Sequence, residues 1–558
     1  MGEWQGSGIR GQGSVFSRAS RKEEWISRIE QLCNPTVHFV KDGAPGVLLI
    51  LALLFSGCAR SKPDPNTVVM VIESSPANLD PRIGTDAQAE HIDALIFDAL
   101  VRKDAHFGLQ PELAVKWENP DPLTWVFHLR GNVRFQDGQA LTSRDVKWTI
   151  DSMRNGTVTT VKAGSYTTVD HIDVPDAETV VFHMKKADPS LPLNLCDGAI
   201  GIVPYGSGRD FFRHPVGSGP FRFVAQEMDR YVEIERAASY WDRLPRIARV
   251  RFEVAPDAIT RAQELQKGSA DIASNALTPD LVSSLRQNPK LVVEEGPGTN
   301  LYYIVFNVRD PLLKDVRVRK AIALAIDRPL IVHALWHDEA RLAESMLPPE
   351  HWAWTGDTEQ HAYDPAAANS LLDAAAYRRG ADGVRFHVTM KSSSDETVRL
   401  MAAAMQQQLA QVGIALDLRS YEFATFYADL TKGAFQMAPS RWIGGNESPD
   451  IFRYALTTAA FPPHGANRGL YSNAEMERLI ADAVATSDRA QQIKDYARVQ
   501  QIAAEELPAI NLWYLDTVVV HSRRLTGIRP SASGMFDFLK DAGLAARTDT
   551  ATLQKITP

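Results

Sequence analysis

The sequence predicts an α/β (α+β) protein assembled in several lobes, and three observations predict it. Short stretches alternate apolar and polar residues with period two, the mark of half-buried strands. Other stretches repeat apolar residues at three- and four-residue steps, the mark of amphipathic helices. The two kinds interleave with no repeat of about 20–50 residues, which sets solenoids and propellers aside. With 558 residues, the chain has room for about three core units of roughly 100–200 residues each.

Val68–Ile72 is an apolar run that reads as a first strand. The loop after it is punctuated by proline: Ser74-Ser75-Pro76-Ala77-Asn78-Leu79-Asp80-Pro81. A helix is expected from Ala87 to Leu100. Trp125, Phe127 and Leu129 alternate with Val126, His128 and Arg130, and Gly131-Asn132 is placed to turn that strand back into Val133-Arg134-Phe135. Thr142-Ser143-Arg144-Asp145 has the capping-box pattern, opening a helix that runs to about Arg154. Val180, Phe182 and Met184 alternate as a strand, and so do Val250, Phe252 and Val254. Val398, Met401, Met405, Leu409 and Val412 share one helix face; Gly413 stops that helix, and Ile414, Leu416 and Leu418 continue as a strand. The methionines on that face read as core filling.

The chain is 44% hydrophobic and 23% charged, with a net charge of −8. Those proportions exclude collagen-like and low-complexity chains. The acidic balance argues against a general nucleic-acid binder, which needs a basic footprint to displace counterions. Cys33, Cys58 and Cys196 form no CxxC and no Cys/His cluster, so neither a metal site nor another cofactor is expected. The run Val47–Phe55 is shorter than the roughly 20 residues of a membrane-spanning helix. It falls within the roughly 7–15 of a secretory apolar region. Leu54-Phe55-Ser56-Gly57-Cys58 resembles a bacterial lipobox, with Phe55 where leucine is usual. That resemblance implies cleavage before Cys58 and a lipid on its thiol. Residues 1–57 are then a leader and 58–65 a flexible tether. The competing reading is a short buried segment with a core cysteine. The stretch before Lys41 is unusual for such a leader, and a true start near Val37 or Val40 is expected.

Most catalytic signals fail. Gly6-Ser7-Gly8-Ile9-Arg10-Gly11 matches GxGxxG by letter but lies in the leader, without a strand before it. His333 and His337 stand four apart, yet Ala334 occupies the place where a zincin motif needs Glu. They read as one face of a solvated helix. GxSxG and the P-loop are both missing from the sequence. An enzyme has no positive support.

Several separated segments gain meaning together. They are Leu79-Asp80-Pro81; Pro111-Glu112-Leu113-Ala114 with Trp117; Thr124–Arg130; Val133–Gly138; and Leu141–Val146. Gly217-Ser218-Gly219-Pro220-Phe221 and Tyr240-Trp241 follow, then Phe306-Asn307, Pro311-Leu312 and Asp315–Ala321. In this order they resemble the dipeptide/oligopeptide type of extracellular solute-binding proteins, family 5, the capture subunits of ABC importers. The resemblance runs from about Val68 to about Gly527. It implies a two-lobed clamp of the periplasmic-binding type (type II, cluster C-like). Lobe I would comprise 66–105, 215–304 and 509–558, with an extra subdomain at 106–214; lobe II would be 305–508. The hinge would lie near Ile304–Asn307 and Pro508–Leu512. Taken singly, Gly217–Phe221 reads as a tight turn. Asp315 reads as a helix opener whose following cations form a solvated face.

The resemblance also implies a ligand between the lobes. Three loops are candidates: Ser74 and Ser75; Gly298, Thr299, Asn300 and Tyr302; and the Trp442 loop with Gly445, Asn446 and Asp450. In peptide-binding members that last loop carries an Asp for the peptide ammonium. Gly445 stands there instead, so a free amine need not be the anchor unless Glu447 or Asp450 substitutes. Trp442 is either a stacking wall or a core residue. The implied role is non-enzymatic: an exported, lipid-anchored monomer that takes a peptide or peptide-like solute to ABC permease subunits, with no nucleic acid involved. The alternatives are the same role for a metal chelate, opine, sugar or haem, an exported hydrolase using the cleft, and a docking or signalling receptor without transport.

Overall fold

The computed structural model describes residues 66–486 and 488–545. The leader and its GxGxxG match, the lipobox at Cys58 and the tether at 58–65 lie outside the described residues. The first strand, β1 (Thr67–Ile72), is buried at every position. It runs parallel to a neighbour on each side, and both its faces are covered. Met70 packs with Ile92 and Phe252, while Val69 and Val71 pack with Leu265. A strand buried on both faces needs an unbroken apolar run, which Thr-Val-Val-Met-Val-Ile supplies.

Two short strands follow, β2 (Val101–Lys103) and β3 (Leu109–Pro111), paired as a hairpin. Then β4 (Ala114–Asp121), β5 (Thr124–Leu129), β6 (Val169–Asp176) and β7 (Thr179–Met184) form a separate antiparallel sheet, ordered β4-β5-β7-β6. The helix Ser143–Arg154 covers one face of it, opened by the expected box: Asp145 Oδ2 accepts from the Thr142 amide at 2.7 Å. Phe127 and Phe182, edge to face at 5.6 Å, are in its core.

The remaining strands join β1 in one sheet of 11. They are β8 (Phe221–Glu227), β9 (Tyr231–Arg236), β10 (Arg249–Val254), β11 (Ile272–Ser274) and β12 (Leu291–Phe306). They continue with β13 (Ala340–Leu342), β14 (Phe386–Ser393), β15 (Ile414–Tyr421), β16 (Met437–Trp442) and β17 (Ala509–Ser522). The order is β15-β14-β16-β12-β17-β11-β1-β10-β9-β8, with β13 on β17.

The two longest strands, β12 and β17, run through both halves of this sheet. Leu291 to Gly296 pair with Ser522 to Thr517, and there β17 also pairs with β11. Asn300 to Val305 pair with Leu515 to Ala509, where β12 also pairs with β16 and β17 with β13. The ladder breaks between, at Pro297-Gly298-Thr299. Pro297 has no amide hydrogen to give. Gly298 approaches β17 so closely that a Cβ there would stand 2.1 Å from the Leu515 carbonyl oxygen. The pairing thus changes sides at Gly296–Asn300 and Leu515–Thr517, upstream of Ile304–Asn307 and beyond Pro508–Leu512.

Three local expectations differ from the structure. The helix begun at Ala87 ends at Ile96, with Phe97 extended. The Ile96 carbonyl is claimed from outside, by the Gly219 amide at 2.8 Å and Gln136 Nε2 at 3.0 Å. Val133-Arg134-Phe135 does not pair back on β5. Val133 and Phe135 point into the core, and Arg134 bridges Ala140 instead, while β4 and β7 flank β5. Arg319 is buried rather than part of a solvated face: its guanidinium donates to the Leu313, Glu506 and Leu507 carbonyls. The segments that carry the family resemblance act as joints of this kind. Ser218 Oγ, Tyr240 OH and Trp241 Nε1 all donate to the buried Asp98 carboxylate, at 2.8, 2.9 and 2.9 Å.

Candidate functional site

Three chain segments meet where the large sheet changes sides. The β2–β3 hairpin brings Lys103 and, in its turn, Phe107. The second half of the sheet brings the loop after β16, in which Gly445–Glu447 form a 3₁₀ turn. The break in β12 brings Thr299. Glu447 is the meeting point. Its carboxylate accepts from Lys103 Nζ at 2.5 Å and from Thr299 Oγ1 at 3.1 Å. Asn446, fully buried, donates from Nδ2 to the Thr299 carbonyl at 2.7 Å. Burial opposes charge on the Lys103 ammonium, but Glu447 together with Cys196 and Asp197 outweighs it and raises the pKa above the ordinary lysine value.

A second seam lies beside this one. Phe107 stacks on His351 with centroids 5.7 Å apart, and the Trp352 amide donates to the His106 carbonyl at 3.1 Å. Burial pushes the His351 imidazole down to about 3, with the backbone at Glu447 only partly opposing it. The ring is therefore neutral at neutral pH. Between these contacts sits a recess of about 140 Å³, lined among others by Phe107, Leu193, Trp352, Ser448, Arg489 and Tyr496. The Arg489 guanidinium lies 3.7 Å from the Trp352 ring centre. Pockets for drug-sized ligands span about 300–1,000 Å³, so a peptide-sized guest requires the walls to part.

The structure distributes the residues singled out from the sequence unevenly. Thr299, Asn446 and Glu447 converge at the seam. Gly298 abuts it, its carbonyl accepting from Arg341 Nη2 at 3.1 Å, and Asn300 resumes pairing opposite Leu515. Asp450 lines the recess, but its carboxylate is gripped by Arg453 at 2.6 and 2.6 Å. Tyr302 is packed in the core against Trp336 and Trp513, its hydroxyl accepting from Arg441 Nη1 at 3.1 Å. Ser75 accepts from the Asp229 amide at 2.7 Å, at the β8–β9 turn, and Ser74 is exposed beside it. Trp442 is half-buried: it stacks on Tyr303 at 5.7 Å, meets Tyr454 edge-on, and lies under the Arg468 guanidinium. Its indole N–H meets no acceptor among the described residues, and neither does Asn446 Oδ1 meet a donor.

Lys103, Phe107, Trp352 and Arg489 were not singled out from the sequence. No local pattern marks them, because Lys103 and its partner Glu447 stand 344 positions apart. His333 and His337 do not converge: the first faces Asp338 and the second Asp280.

The sequence model of the bacterial extracellular solute-binding proteins, family 5 (middle region), matches residues 108–461. The dipeptide-binding protein of Escherichia coli K12 is 25% identical over 516 residues, covering 87% of this chain and 94% of that protein. Heme-binding protein A of Haemophilus influenzae is 25% identical over 500 residues, covering 84% and 89%. Among solved structures, HbpA2 of Haemophilus parasuis superposes with a TM-score of 0.78 at 23% identity, over 86% of this chain and 100% of that one. The oligopeptide-binding protein AppA of Bacillus subtilis, in complex with a nonapeptide, gives 0.67 at 23% identity, over 86% and 99%. The large mixed sheet and its two halves are thus the two-lobed fold of these proteins.

Proposed function

The chain belongs to the bacterial extracellular solute-binding proteins of family 5, and from that premise we propose that it captures a peptide or peptide-like solute between its lobes. It then presents that solute to the membrane subunits of an ABC importer, without changing it covalently. The observation that carries this reading is the joint in β12 and β17. Two strands cross between the halves, with the ladder on β12 broken at Pro297-Gly298-Thr299, and the gap is spanned by the Lys103–Glu447–Thr299 contacts and by Phe107 stacked on His351. A hinge of that kind lets two rigid bodies rotate with little repacking. We place it at Gly296–Asn300 and Leu515–Thr517. Lobe I then leaves β12 at Gly296–Asn300 and resumes on β17 at Leu515–Thr517, a few residues from the boundaries 304/305 and 508/509 expected from the sequence, and 106–214 is its extra subdomain.

Gly445 offers no carboxylate, and both nearby substitutes are engaged, Glu447 by Lys103 and Asp450 by Arg453. An ammonium buried without a counter-charge is costly. No carboxylate of this loop is left for an ammonium, whereas the neutral amides of a peptide need none. The cargo is therefore a peptide-like compound held through amides. Export and a lipid on Cys58 belong to the same reading, with the protein working as a monomer at the outer face of the cell membrane. Among the described residues no helix is long and apolar enough to cross a membrane. A second reading keeps the role and changes the cargo to a haem or metal chelate; the missing carboxylate at Gly445 favours it equally.

Calorimetric titration with matched free and N-acetylated di- and tripeptides, alongside haem and nickel chelates, separates these. The expected result is acetylated peptide bound at least as tightly as free peptide, with compaction in small-angle scattering. A strict requirement for the free amine contradicts the amide reading. Binding of chelates alone selects the second.

A further inference from the structure

We propose that the outer face of the four-stranded sheet carries a site for one divalent transition-metal ion, held by His171, Asp173 and His183. It lies on a different element from the seam and does not depend on the cargo reading. His171 on β6 and His183 on β7 are direct cross-strand partners. Asp173 follows His171 by two, so strand alternation puts all three on the solvent face. Their ligand atoms lie within 4.8 Å of one another. Asp173 Oδ2 stands 3.2 Å from His183 Nε2 and 3.8 Å from His171 Nε2. Metal–nitrogen and metal–oxygen bonds of about 2.0–2.1 Å in a tetrahedron give ligand–ligand edges of about 3.3 Å. The two Asp173 edges are near that value already, and the two imidazole nitrogens, within 4.8 Å, draw together on the ion.

An independent feature prepares the site. The register of β6 slips between Val169 and His171, so that Asp170 and His171 are both exposed while Ile172 is buried. Asp170 Oδ2 therefore reaches His171 Nδ1 at 2.9 Å. A carboxylate at Nδ1 favours the neutral tautomer that carries its proton there, in which the Nε2 lone pair faces Asp173 and is free to ligate. In the neutral ring that lone pair faces a carboxylate oxygen, an arrangement a cation between them stabilises. The slip itself is pinned, since Arg154 Nη2 donates to the Val169 carbonyl at 2.6 Å and the Asp170 carbonyl at 2.7 Å. The imidazoles stack with centroids 4.2 Å apart and 11° between planes, so one ring tilts to bring both Nε2 atoms onto a shared ion. Two imidazoles and one carboxylate suit zinc, nickel or copper rather than calcium or magnesium, and they leave coordination positions for water or another donor.

The test is titration of Co(II), then Zn(II), into the full chain without a histidine tag near neutral pH. The expected result is one equivalent bound, with a visible Co(II) spectrum that Zn(II) abolishes. His171→Ala and His183→Ala should each weaken binding at least about tenfold, and Asp170→Ala by about tenfold or more. His333→Ala/His337→Ala should leave it unchanged. All these side chains are on the surface, so an unaltered melting temperature shows that lost binding is not lost folding. Absence of saturable one-equivalent binding overturns the proposal. So does binding that survives in the His171→Ala/His183→Ala double variant.

Discussion

Two of the ion pairs among the described residues are built differently. Asp80 and Arg82 are fully buried in the loop after β1. Arg82 grips both carboxylate oxygens, at 2.9 and 2.7 Å, and gives its other hydrogens to Ser152 Oγ and the Ser207 and Gly208 carbonyls. All five guanidinium donors are used. Lys103 and Glu447 meet through a single contact, with the lysine side chain 25% exposed. The first pair joins pieces that stay together, since water reaches it only if the fold opens. On the hinge proposed above, the second joins pieces that part, since rotation of the lobes hydrates both charges at once. Burial and multiplicity of contact thus separate the internal cement of a lobe from the latch between lobes.

The sharpest way to break the comparison is at the cement. Asp80→Ala leaves the Arg82 cation buried without its counter-charge. Removing one partner of a buried pair costs about 3–5 kcal/mol. A fall of that size in denaturant or thermal unfolding is expected, with the variant poorly folded at physiological temperature. A loss below about 1 kcal/mol would put Asp80–Arg82 in the same class as the latch.

Gly298 tests the joint itself. A side chain there meets the Leu515 carbonyl oxygen, so Gly298→Val forces β12 and β17 apart at the crossing. Overpacking of this kind costs about 1–3 kcal/mol. The expected result is a lowered melting temperature together with an altered change in radius of gyration on cargo binding. A variant that melts lower yet compacts as before would move the hinge elsewhere.

Acid sharpens the contrast, because each kind of region holds a depressed histidine. His91 in lobe I is pushed down to about 4 by burial, which Asp537 and Asp86 only partly offset. His351 at the seam is pushed down to about 3. In both, the folded pKa lies below the unfolded value near 6.5, so the unfolded or opened state binds the extra proton. The stabilisation is complete above about pH 6.5 and drains away as pH falls toward the folded pKa. By pH 5 that amounts to about 2 kcal/mol for each ring. His351 can be hydrated by opening, whereas His91 cannot. Scattering should therefore report expansion at a higher pH than circular dichroism reports unfolding, and His351→Phe should remove only the first transition.

What the sequence revealed follows the same division. Contacts near in sequence were legible: the Thr142–Asp145 box, the helix on Met401, Met405 and Leu409, and the strand after Gly413 all follow from periods and caps. His333 and His337 are both exposed, as expected, but not on one helix face: the helix ends at Trp336 and His337 caps it in the left-handed conformation. The cross-strand pair His171 and His183 was not found, because it depends on the β6–β7 register and on the slip at Asp170. The sequence reading put the hinge near Ile304–Asn307, and the break in β12 lies a few residues earlier, at Pro297-Gly298-Thr299; a strand that breaks and resumes in one ladder has no signature of its own beyond Pro297-Gly298. Arg319 looked like a surface cation because its carbonyl partners at Glu506 and Leu507 come from the far end of the second lobe. At the candidate site, the family resemblance pointed to Thr299, Asn446 and Glu447, which meet at the seam, and equally to Ser75 and Tyr302, which do not. The Lys103–Glu447 latch was not.

The smallest expected effect on stability is at that latch. Lys103→Met removes the ammonium and leaves Glu447 with Thr299 Oγ1 alone. Closed, the carboxylate is 7% exposed and short of a counter-charge. Open, water solvates it, so the penalty is capped by the free energy of opening rather than by that of unfolding. The melting temperature should move by less than the equivalent of about 1 kcal/mol, the usual scale for a pair that water can reach. The lobe equilibrium should nevertheless shift toward open, seen as a larger radius of gyration without cargo and a faster release of bound cargo. Glu447→Gln should do the same more weakly, because the amide still accepts from Thr299. If Lys103→Met unfolds the protein as Asp80→Ala does, the seam is permanent packing and the lobes do not separate there.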